Sequence, residues 1–454
     1  MLRFEKYPLV ILILIFIGVV VSFFFTNDFA FVFEGYNYLI FQVLLFSLVF
    51  ALKDRGVNFL LSPSFIAVSY VNINFWLGSY VFKTGNVFTK LLPTFEAWEN
   101  YDHRIFFFNA INFLIILSYF LTINLRLKRR KLPILLDIKR INPRKLFVAT
   151  AILFLIISPL KFSFSIVLKS LLAIILFVLI SQRYSLRKRI FFYALIIFIF
   201  VLFSTHSKRE AIFLLLPIFL LESYNIKIKL SVKLFLKIFV GSFILLYAII
   251  AMSILRGYGG YKVDNFYDAS GHVFDYMTSH FFMPAIANNL EISSTYLHSN
   301  NCIEYLQDGK MDYLLGETFI KPLFIFFPRS IITKPKSSIG YYTETHDPGF
   351  RAKGGSFPIS IQSEFYLNFG VYSLLLIIPF FMIFNMMYKT ILVMIKNREI
   401  INFAYALYIY QVFLSLVRGS GLDIFLVYTI FLLFFFFLYK ISIKVFTMPL
   451  HVKV

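Results

Sequence analysis

The sequence has one cysteine, Cys302, and charged residues make up only 15% of its 454 positions. A single cysteine excludes an internal disulfide. So few charges, beside 59% hydrophobic residues and 61 phenylalanines, exclude a soluble globular domain of this length.

The motifs of several enzyme classes are also missing from the sequence. It has no Cys/His spacing typical of a zinc site, no His-Glu-x-x-His, no glycine-rich phosphate loop and no Gly-x-Ser-x-Gly. It has no soluble nucleotide-binding domain to drive ATP-dependent transport. No inverted repeat relates the two halves, which disfavours a secondary transporter. We therefore expect neither a metal nor a cofactor.

Long apolar runs dominate what the sequence does contain. Runs of roughly 18 or more apolar residues predict membrane helices, because a helix satisfies its backbone hydrogen bonds internally. We predict about twelve transmembrane helices. The first is expected to be an anchor, because no small-residue cleavage site follows it. The approximate spans are 8–26, 36–52, 59–82, 104–125, 145–160, 163–181, 190–205, 210–223, 234–255, 359–388, 400–417 and 422–440.

The distribution of basic residues predicts how these helices are oriented. With the N-terminus in the cytoplasm, the cytoplasmic segments carry 27 basic and five acidic residues, whereas the periplasmic segments carry 16 and 18. The formal net charge of +21 thus belongs to one face of the membrane. It is explained by topology and by contact with anionic lipid headgroups, and it gives no argument for nucleic acid. We expect both termini in the cytoplasm.

One long polar stretch interrupts the apolar runs. Residues 256–358 separate a membrane region of about nine helices (1–255) from one of about three helices with a cytoplasmic tail (359–454). We expect 256–358 to form a large, mainly helical periplasmic loop. Its first half is rich in carboxylates, Tyr and Asn, which suit a sugar by ring stacking and hydroxyl hydrogen bonds. The alternative is a helical cap in which these side chains only pack.

Basic residues on the outer face are more informative than those inside, because the positive-inside bias does not account for them. Arg209 lies in a tight turn between two apolar spans, and Arg256 and Arg418 each precede a glycine at the end of a span. Guanidinium groups bind phosphate oxygens in a bidentate fashion and stay charged at any working pH. These arginines are predicted to bind the diphosphate of a lipid carrier. The alternative is that they extend to lipid headgroups.

The stretch 327–370 carries a further pattern. It contains Pro328-Arg329 followed by Lys334-Pro335, then Gly354-Gly355-Ser356, and it ends in Glu-Phe-Tyr-Leu-Asn-Phe-Gly from Glu364. These features, with many spans and one dominant late loop, resemble the bacterial O-antigen polymerase (Wzy-type) family. The turn at Arg209 is similar to the Ser-Arg-Gly turn of that family, although Glu210 stands where the family has glycine.

The resemblance implies an all-α, GT-C-like integral membrane glycosyltransferase of the bacterial inner membrane. Such an enzyme polymerises undecaprenyl-diphosphate-linked oligosaccharide repeat units at the periplasmic face. Its partners would be these lipid-linked glycans, membrane lipids, and a chain-length regulator and flippase of the same pathway.

This chemistry needs fixed positive charge on the leaving diphosphate and a base for the attacking hydroxyl. The predicted diphosphate-binding residues are Arg209, Arg256 and Arg329, with Lys334, Lys336 and Arg418 as further members. The candidate bases are His280, His346 and Glu364. A capping role for His280 and an ion pair for Glu364 are the structural alternatives. Guanidinium groups can fill the charge role of a divalent ion, so no metal is required.

Other functions remain open from the sequence. An O-antigen ligase, which transfers finished glycan to lipid A core, would share the arginines. A lipid-linked glycosyltransferase with a catalytic acid in the first outer loop is disfavoured, because Asp28 and Glu34 do not form the expected acidic pair. A flippase or transporter of lipid-linked sugar predicts ionisable residues within the spans. The spans hold few, of which Lys169 is the clearest, and this favours an enzyme at the membrane surface. Glycines at both ends of the loop also predict hinges of a movable lid.

Overall fold

The computed structural model describes residues 6–23, 61–83, 101–124, 143–160, 165–203, 208–225, 260–279, 292–324, 335–397 and 400–447, together with isolated positions such as 282, 327 and several between 236 and 254. Every regular element in this part of the chain is a helix. The all-α fold class is thereby confirmed for the described residues.

The described helices lie at the predicted apolar spans and within the polar stretch. In chain order they are α1 (Lys6–Phe23), α2 (Pro63–Lys83), α3 (Tyr101–Asn124), α4 (Pro143–Ile157), α5 (Ser165–Ser181), α6 (Leu186–Phe203), α7 (Lys208–Asn225), α8 (Phe266–Gly271), α9 (Val273–Thr278), α10 (Ile292–Gln307), α11 (Glu317–Ile320), α12 (Ser338–His346), α13 (Pro348–Ala352), α14 (Ile361–Phe369), α15 (Ser373–Asn397), α16 (Ile400–Val417) and α17 (Leu422–Thr447). Short 3₁₀ turns at Lys321–Phe324 and Gly370–Tyr372 follow α11 and α14.

Three of the described apolar stretches are long enough to cross a membrane by length and composition. They are Arg104–Thr122 in α3, Ile361–Leu392 across α14 and α15, and Leu422–Ile443 in α17. Ser165–Ser181 and Phe403–Val417 are apolar but shorter. The predicted span 36–52 lies outside the described residues, and 234–255 is described only at scattered positions.

The helix α5 forms the centre of one half of the bundle. Its residues from Lys169 to Ile180 are all buried, because α4, α6, α7, α16 and α17 pack around it. A helix that is apolar on every side has no face for water, and burial inside a bundle satisfies that pattern.

The basic ends of several helices gather at one end of the bundle. Lys389 in α15 donates to the carbonyl of Thr122 near the end of α3, at 3.5 Å. Thr150 in the middle of α4 lies 2.8 Å from the hydroxyl of Tyr439 in the second half of α17. The end of α3 thus lies beside Lys389 of α15, and α4 packs on α17.

The helix α14 does not continue the direction of α15. Asn385 contacts Ser118 and Lys389 contacts Thr122, so α15 runs parallel to α3. By contrast, Gln362 at the start of α14 meets Asn112, and Tyr366 farther along meets Phe107. The chain therefore enters the bundle before α14, returns towards the start of α3 along α14, and turns back at Gly370 into α15.

The helix α10 is buried, although it belongs to the stretch expected to form a periplasmic loop. Residues 295–303 are buried on every side, between α2 and α14. Gly78 of α2 makes this packing possible, since a Cβ there would lie 2.5 Å from Cβ of Tyr296. The expectation of a mainly helical stretch agrees with the described part of 256–358, but its centre is a core helix rather than a surface cap.

Candidate functional site

The polar residues of the described chain converge where α16 ends and α14 and α17 begin. Glu364 lies at this junction and is 1% exposed. Its Oε1 accepts hydrogen bonds from the Ser338 hydroxyl at the start of α12 and from the backbone N–H of Leu422 at 2.7 Å. A carboxylate at the first N–H groups of α17 is favoured by the helix dipole. Glu364 thus connects α12, α14 and α17, and it does not reach the surface in this structure.

Hydroxyl and amide groups join the start of α14 to its neighbours. Ser360 caps α14, and its backbone N–H donates to Ser299 Oγ of α10 at 2.8 Å. Gln362 donates to Asn112 at 2.9 Å, and Asn112 donates to Asn72 at 3.2 Å. This amide chain links α14, α3 and α2 inside an apolar bundle. Such buried polar groups are retained only when they are hydrogen-bonded, which fixes the position of α14.

Two histidines and two tyrosines form an aromatic cluster between α10 and α12. The Nδ1 of His298 lies 2.8 Å from the Tyr342 hydroxyl, and the Nδ1 of His346 lies 2.8 Å from the Tyr305 hydroxyl. The two imidazole rings meet edge to face with centroids 5.0 Å apart. Phe357 stacks on His298 at 4.1 Å. The cluster presents two imidazoles in one place, of which His298 is buried and His346 is half-buried.

Both imidazoles of this cluster are held in the neutral form. Burial, and secondarily the neighbouring His346, hold the pKa of His298 well below its ordinary value. Burial also lowers the pKa of His346, although Asp347 acts in the opposite direction. A neutral imidazole has one nitrogen able to accept a proton, which is the property a general base needs. His346 is the member of the pair that solvent or a substrate can approach.

An ion pair lies on the other side of α10. Arg104 at the start of α3 is fully buried, and its guanidinium is 3.7 Å from the carboxylate of Glu304. Glu304 is 20% exposed, so water still reaches the carboxylate. The pair fastens the C-terminal half of α10 to α3, and Glu304 immediately precedes Tyr305 in the sequence.

The turn 418–421 packs against the chain entering α14. Gly419 has a φ of +97°, and a Cβ at this position would lie 2.6 Å from the carbonyl oxygen of Ile359. Arg418 is half-buried, and its backbone carbonyl accepts from the hydroxyl of Tyr70 at 3.3 Å. The glycine after Arg418 allows close approach of the backbone at Ile359.

Lys336 is the other predicted phosphate-binding residue whose side chain is described. It is exposed, its backbone N–H donates to Glu317 at 2.8 Å, and its ammonium lies 4.0 Å from the ring centre of Tyr341. Lys321, in the 3₁₀ turn after α11, pairs with Asp423 of α17 at 2.7 Å. The cation of Lys336 is therefore on the outside of the junction, where it remains accessible to a charged ligand.

The remaining predicted site residues cannot be placed. His280, Arg256, Arg329 and Lys334 lie outside the described residues. Arg209 lies in the first turn of α7, but its side chain is not among those described. Of the predicted set, the structure brings His346 and Glu364 to opposite ends of the same helix, α12, and leaves Lys336 just before its start.

The glycines expected to act as hinges end a short helix. Gly354 has a φ of +81° and its N–H bonds to Arg351 O at 2.9 Å, which is the conformation of a helix C-terminus. A Cβ at Gly355 would lie 2.5 Å from the ring of Phe350. Residues 353–356 thus terminate α13.

Sequence reasoning missed several members of this site. His298 and Arg104 received no role, and the Tyr and Asn residues of α10 were predicted to suit a sugar, with packing in a helical cap as the alternative. A signal was present in the composition of α10, since Ser, Thr and Asn with few charged residues suit a buried helix that packs closely on others. Among the described residues, no group of three His, Cys, Asp or Glu side chains could hold a metal ion.

Comparison of the chain with protein-family models, with curated proteins and with solved structures found no match. The function is therefore argued from the residues and their arrangement.

Proposed function

We propose that this chain is an integral membrane glycosyltransferase that polymerises undecaprenyl-diphosphate-linked repeat units at the outer face of the bacterial inner membrane. The observation that carries this proposal is the half-buried His346 with its tyrosine partner, at the end of a helical bundle away from the basic helix ends. About twelve transmembrane helices, cytoplasmic termini and a periplasmic site are parts of the same proposal.

The separation of charge and site supports this orientation. The contacts of Lys389 with Thr122 and of Thr150 with Tyr439 gather basic helix ends at one side. The polar junction includes the start of α17, which is the end of that helix opposite to Tyr439. Lipid-linked sugars presented outside the cytoplasm would meet the junction and not the basic ends.

In the proposed reaction, His346 removes the proton of the attacking hydroxyl. For this the Nδ1–H of His346 donates to the oxygen of Tyr305, which leaves Nε2 as the proton acceptor. The acceptor oxygen then forms a bond to the anomeric carbon of the donor glycan as the bond from that carbon to the diphosphate breaks. The electron pair leaves with undecaprenyl diphosphate, whose negative charge requires fixed cations.

Several predicted residues supply those cations. Lys336 is exposed beside α12, and Arg418 closes the α16–α17 turn next to α14. Arg209, Arg256, Arg329 and Lys334 complete the proposed diphosphate-binding set. Glu364 has a different role in this proposal, because its carboxylate is buried at the N-terminus of α17 and holds α12 and α14 in place.

The test uses a strain that lacks the gene and the surface polysaccharide pattern after complementation. His346→Gln should lose long-chain polymer and retain single repeat units on the lipid core, while protein abundance stays unchanged. Tyr305→Phe should reduce polymer less, since the imidazole remains. His272→Gln is the matched control, because His272 stacks on Tyr261 outside the cluster and should leave polymer intact.

The same assay separates the alternatives. A deletion strain with core plus one repeat indicates a polymerase. Loss of every attached repeat, with polymer retained on the lipid carrier, would replace the proposal with a ligase. Repeat units trapped on the cytoplasmic side would replace it with a flippase. Full-length polymer made by His346→Gln would remove His346 as the base.

A further inference from the structure

The polar stretch 256–358 carries a set of apolar side chains that point away from the protein. In the 3₁₀ turn after α11, Leu323 is 65% exposed, and Leu315 before α11 is 83% exposed. Leu315 is also the residue with a positive φ, +47°, where glycine or asparagine is usual. A leucine held outward in this conformation gains nothing from water, which suggests that its side chain has another environment.

A second set of exposed apolar residues follows α14. Val371 and Tyr372 in the 3₁₀ turn are 68% and 74% exposed, and Leu375 in the first turn of α15 is 69% exposed. We name the two sets together the apolar rim, and its members are Leu315, Ile320, Leu323, Val371, Tyr372 and Leu375.

The two halves of the apolar rim belong to one surface. The backbone N–H of Leu314 donates to the carbonyl of Leu367 at 3.0 Å. Phe319 of α11 packs on Phe365 and Phe369 of α14, with ring centroids 5.9 and 5.3 Å apart. The turn at Gly370 therefore lies beside the segment that carries Leu315.

The apolar rim adjoins the exposed apolar surfaces of α15 and α17. The stretch Ile361–Leu392 includes the Gly370 turn and is apolar enough to cross a membrane, and Ile383 on it is exposed. Residues 317–324 also pack on the start of α17, whose apolar stretch is Leu422–Ile443. Within this segment, the ammonium of Lys321 forms an ion pair with the carboxylate of Asp423, which is 7% exposed. Exposed apolar area that adjoins membrane-type helices marks contact with lipid.

We propose that residues 315–323 and 370–375 lie in the lipid bilayer, as a rim around the outer end of the bundle, and not in the aqueous phase. The occupant of this surface is the acyl-chain and headgroup boundary of the membrane. The apolar rim reaches the boundary next to the α12 and α14 junction, so a substrate anchored in the same bilayer would approach the junction from the side. This placement is independent of which reaction the protein performs.

Site-directed spin labelling tests the placement with the full chain in lipid nanodiscs. The only cysteine, Cys302, is buried, so a cysteine introduced at the surface is labelled selectively. Labels are placed by Leu323→Cys, Val371→Cys and Tyr372→Cys in the apolar rim. Matched labels are placed by Lys310→Cys and Lys353→Cys, which are exposed polar positions of the same polar stretch. Unmodified protein treated with the label gives the background.

The measurement compares collision of each label with oxygen, which concentrates in lipid, and with a water-soluble nickel chelate. The rim labels should collide with the nickel chelate several-fold less often than the labels at 310 and 353, and more often with oxygen. Nickel access at the rim equal to that at 310 would overturn the proposal. Spin–spin broadening at the rim that disappears on dilution with unlabelled protein would instead show a second copy covering the surface. Because all three side chains are exposed, their replacement leaves the core intact, and each position reports separately.

Discussion

Replacing Glu364 by glutamine or alanine distinguishes a positioning carboxylate from a catalytic one. Glutamine keeps Oε1 as an acceptor for Ser338 and for the N–H of Leu422, but it removes the negative charge at the start of α17. For the ionised carboxylate, two charge-assisted hydrogen bonds become neutral ones and the dipole interaction is lost, so we expect a cost of up to about 2 kcal/mol in unfolding free energy.

Alanine at the same position removes the acceptor altogether. Two buried donors then lack partners, at about 1–3 kcal/mol each, and the vacated volume adds about 2 kcal/mol. The total of about 5 kcal/mol approaches the whole stability of many proteins. We therefore expect Glu364→Ala to accumulate poorly, and Glu364→Gln to accumulate nearly normally with a lower melting temperature in detergent.

The decisive readout is polymer made per unit of protein. Glu364→Gln should retain most of the polymer, because the three helix connections remain. Glu344→Gln is the matched control, since Glu344 lies on α12 and is exposed. If Glu364→Gln is folded and abundant but makes only single repeats, the carboxylate takes part in chemistry, and the assignment of the proton to His346 is refuted.

Three further predictions concern stability. Arg104→Met should lower the unfolding free energy by about 2–3 kcal/mol, less than for a fully buried pair because Glu304 is 20% exposed. Adding Glu304→Gln to this variant should restore part of the melting temperature. A further equal loss of melting temperature would contradict the ion pair. Gly419→Ala should lower the unfolding free energy by about 3 kcal/mol, because its φ is positive and the new Cβ would meet the carbonyl of Ile359. Gly260 also has a positive φ but has nothing within 4 Å of a Cβ, so Gly260→Ala should lower it by only about 1 kcal/mol. Similar melting temperatures for the two variants would disprove the close packing at Gly419. The folded-state pKa values of His298 and His346 lie below the unfolded value of 6.5, so the unfolded chain binds protons first as pH falls. The unfolding free energy should therefore decline below pH 6.5 by up to about 1.4 kcal/mol per pH unit for each histidine. His298→Phe should make this decline shallower, and an unchanged slope would show that His298 does not titrate in this way.

Hydropathy predicted the helices well, because an apolar run in lipid can satisfy its backbone hydrogen bonds by forming a helix. Residues 422–440 and 400–417 were predicted as spans, and α17 and α16 occupy them. The same rule treated 359–388 as one span. The break at Gly370 was not anticipated, because the amides and hydroxyls that hold α14 in the bundle, such as Asn112, lie far away in sequence.

The candidate site was predicted only in part, for a related reason. His346 and Glu364 were named from residue type and from the resemblance in 327–370. The residues that surround each of them come from other parts of the chain, so the local sequence does not show whether either is buried. The burial of Glu364 depends on Ser338 and Leu422, and the neutrality of His346 depends on its burial beside α10. Composition could identify groups able to take a proton, whereas only the packing of separate helices shows which of them is open to a substrate.

Because α10 is buried, the long polar stretch is part of the packed core and is not only a surface loop. A loop that only covers the surface could be replaced without disturbing the helices beneath it. Here α10 supplies His298 and Tyr305 to the cluster, Ser299 to the start of α14 and Glu304 to Arg104. The contacts of His298 and Tyr305 join α10 to α12 within the polar stretch, whereas those of Ser299 and Glu304 join it to the start of α14 and to α3, so its centre and the apolar bundle must fold together. The site is then held by the same interactions that satisfy the buried polar groups of α10. This coupling explains how a half-buried base can be positioned accurately within a stretch whose composition alone indicates a surface loop.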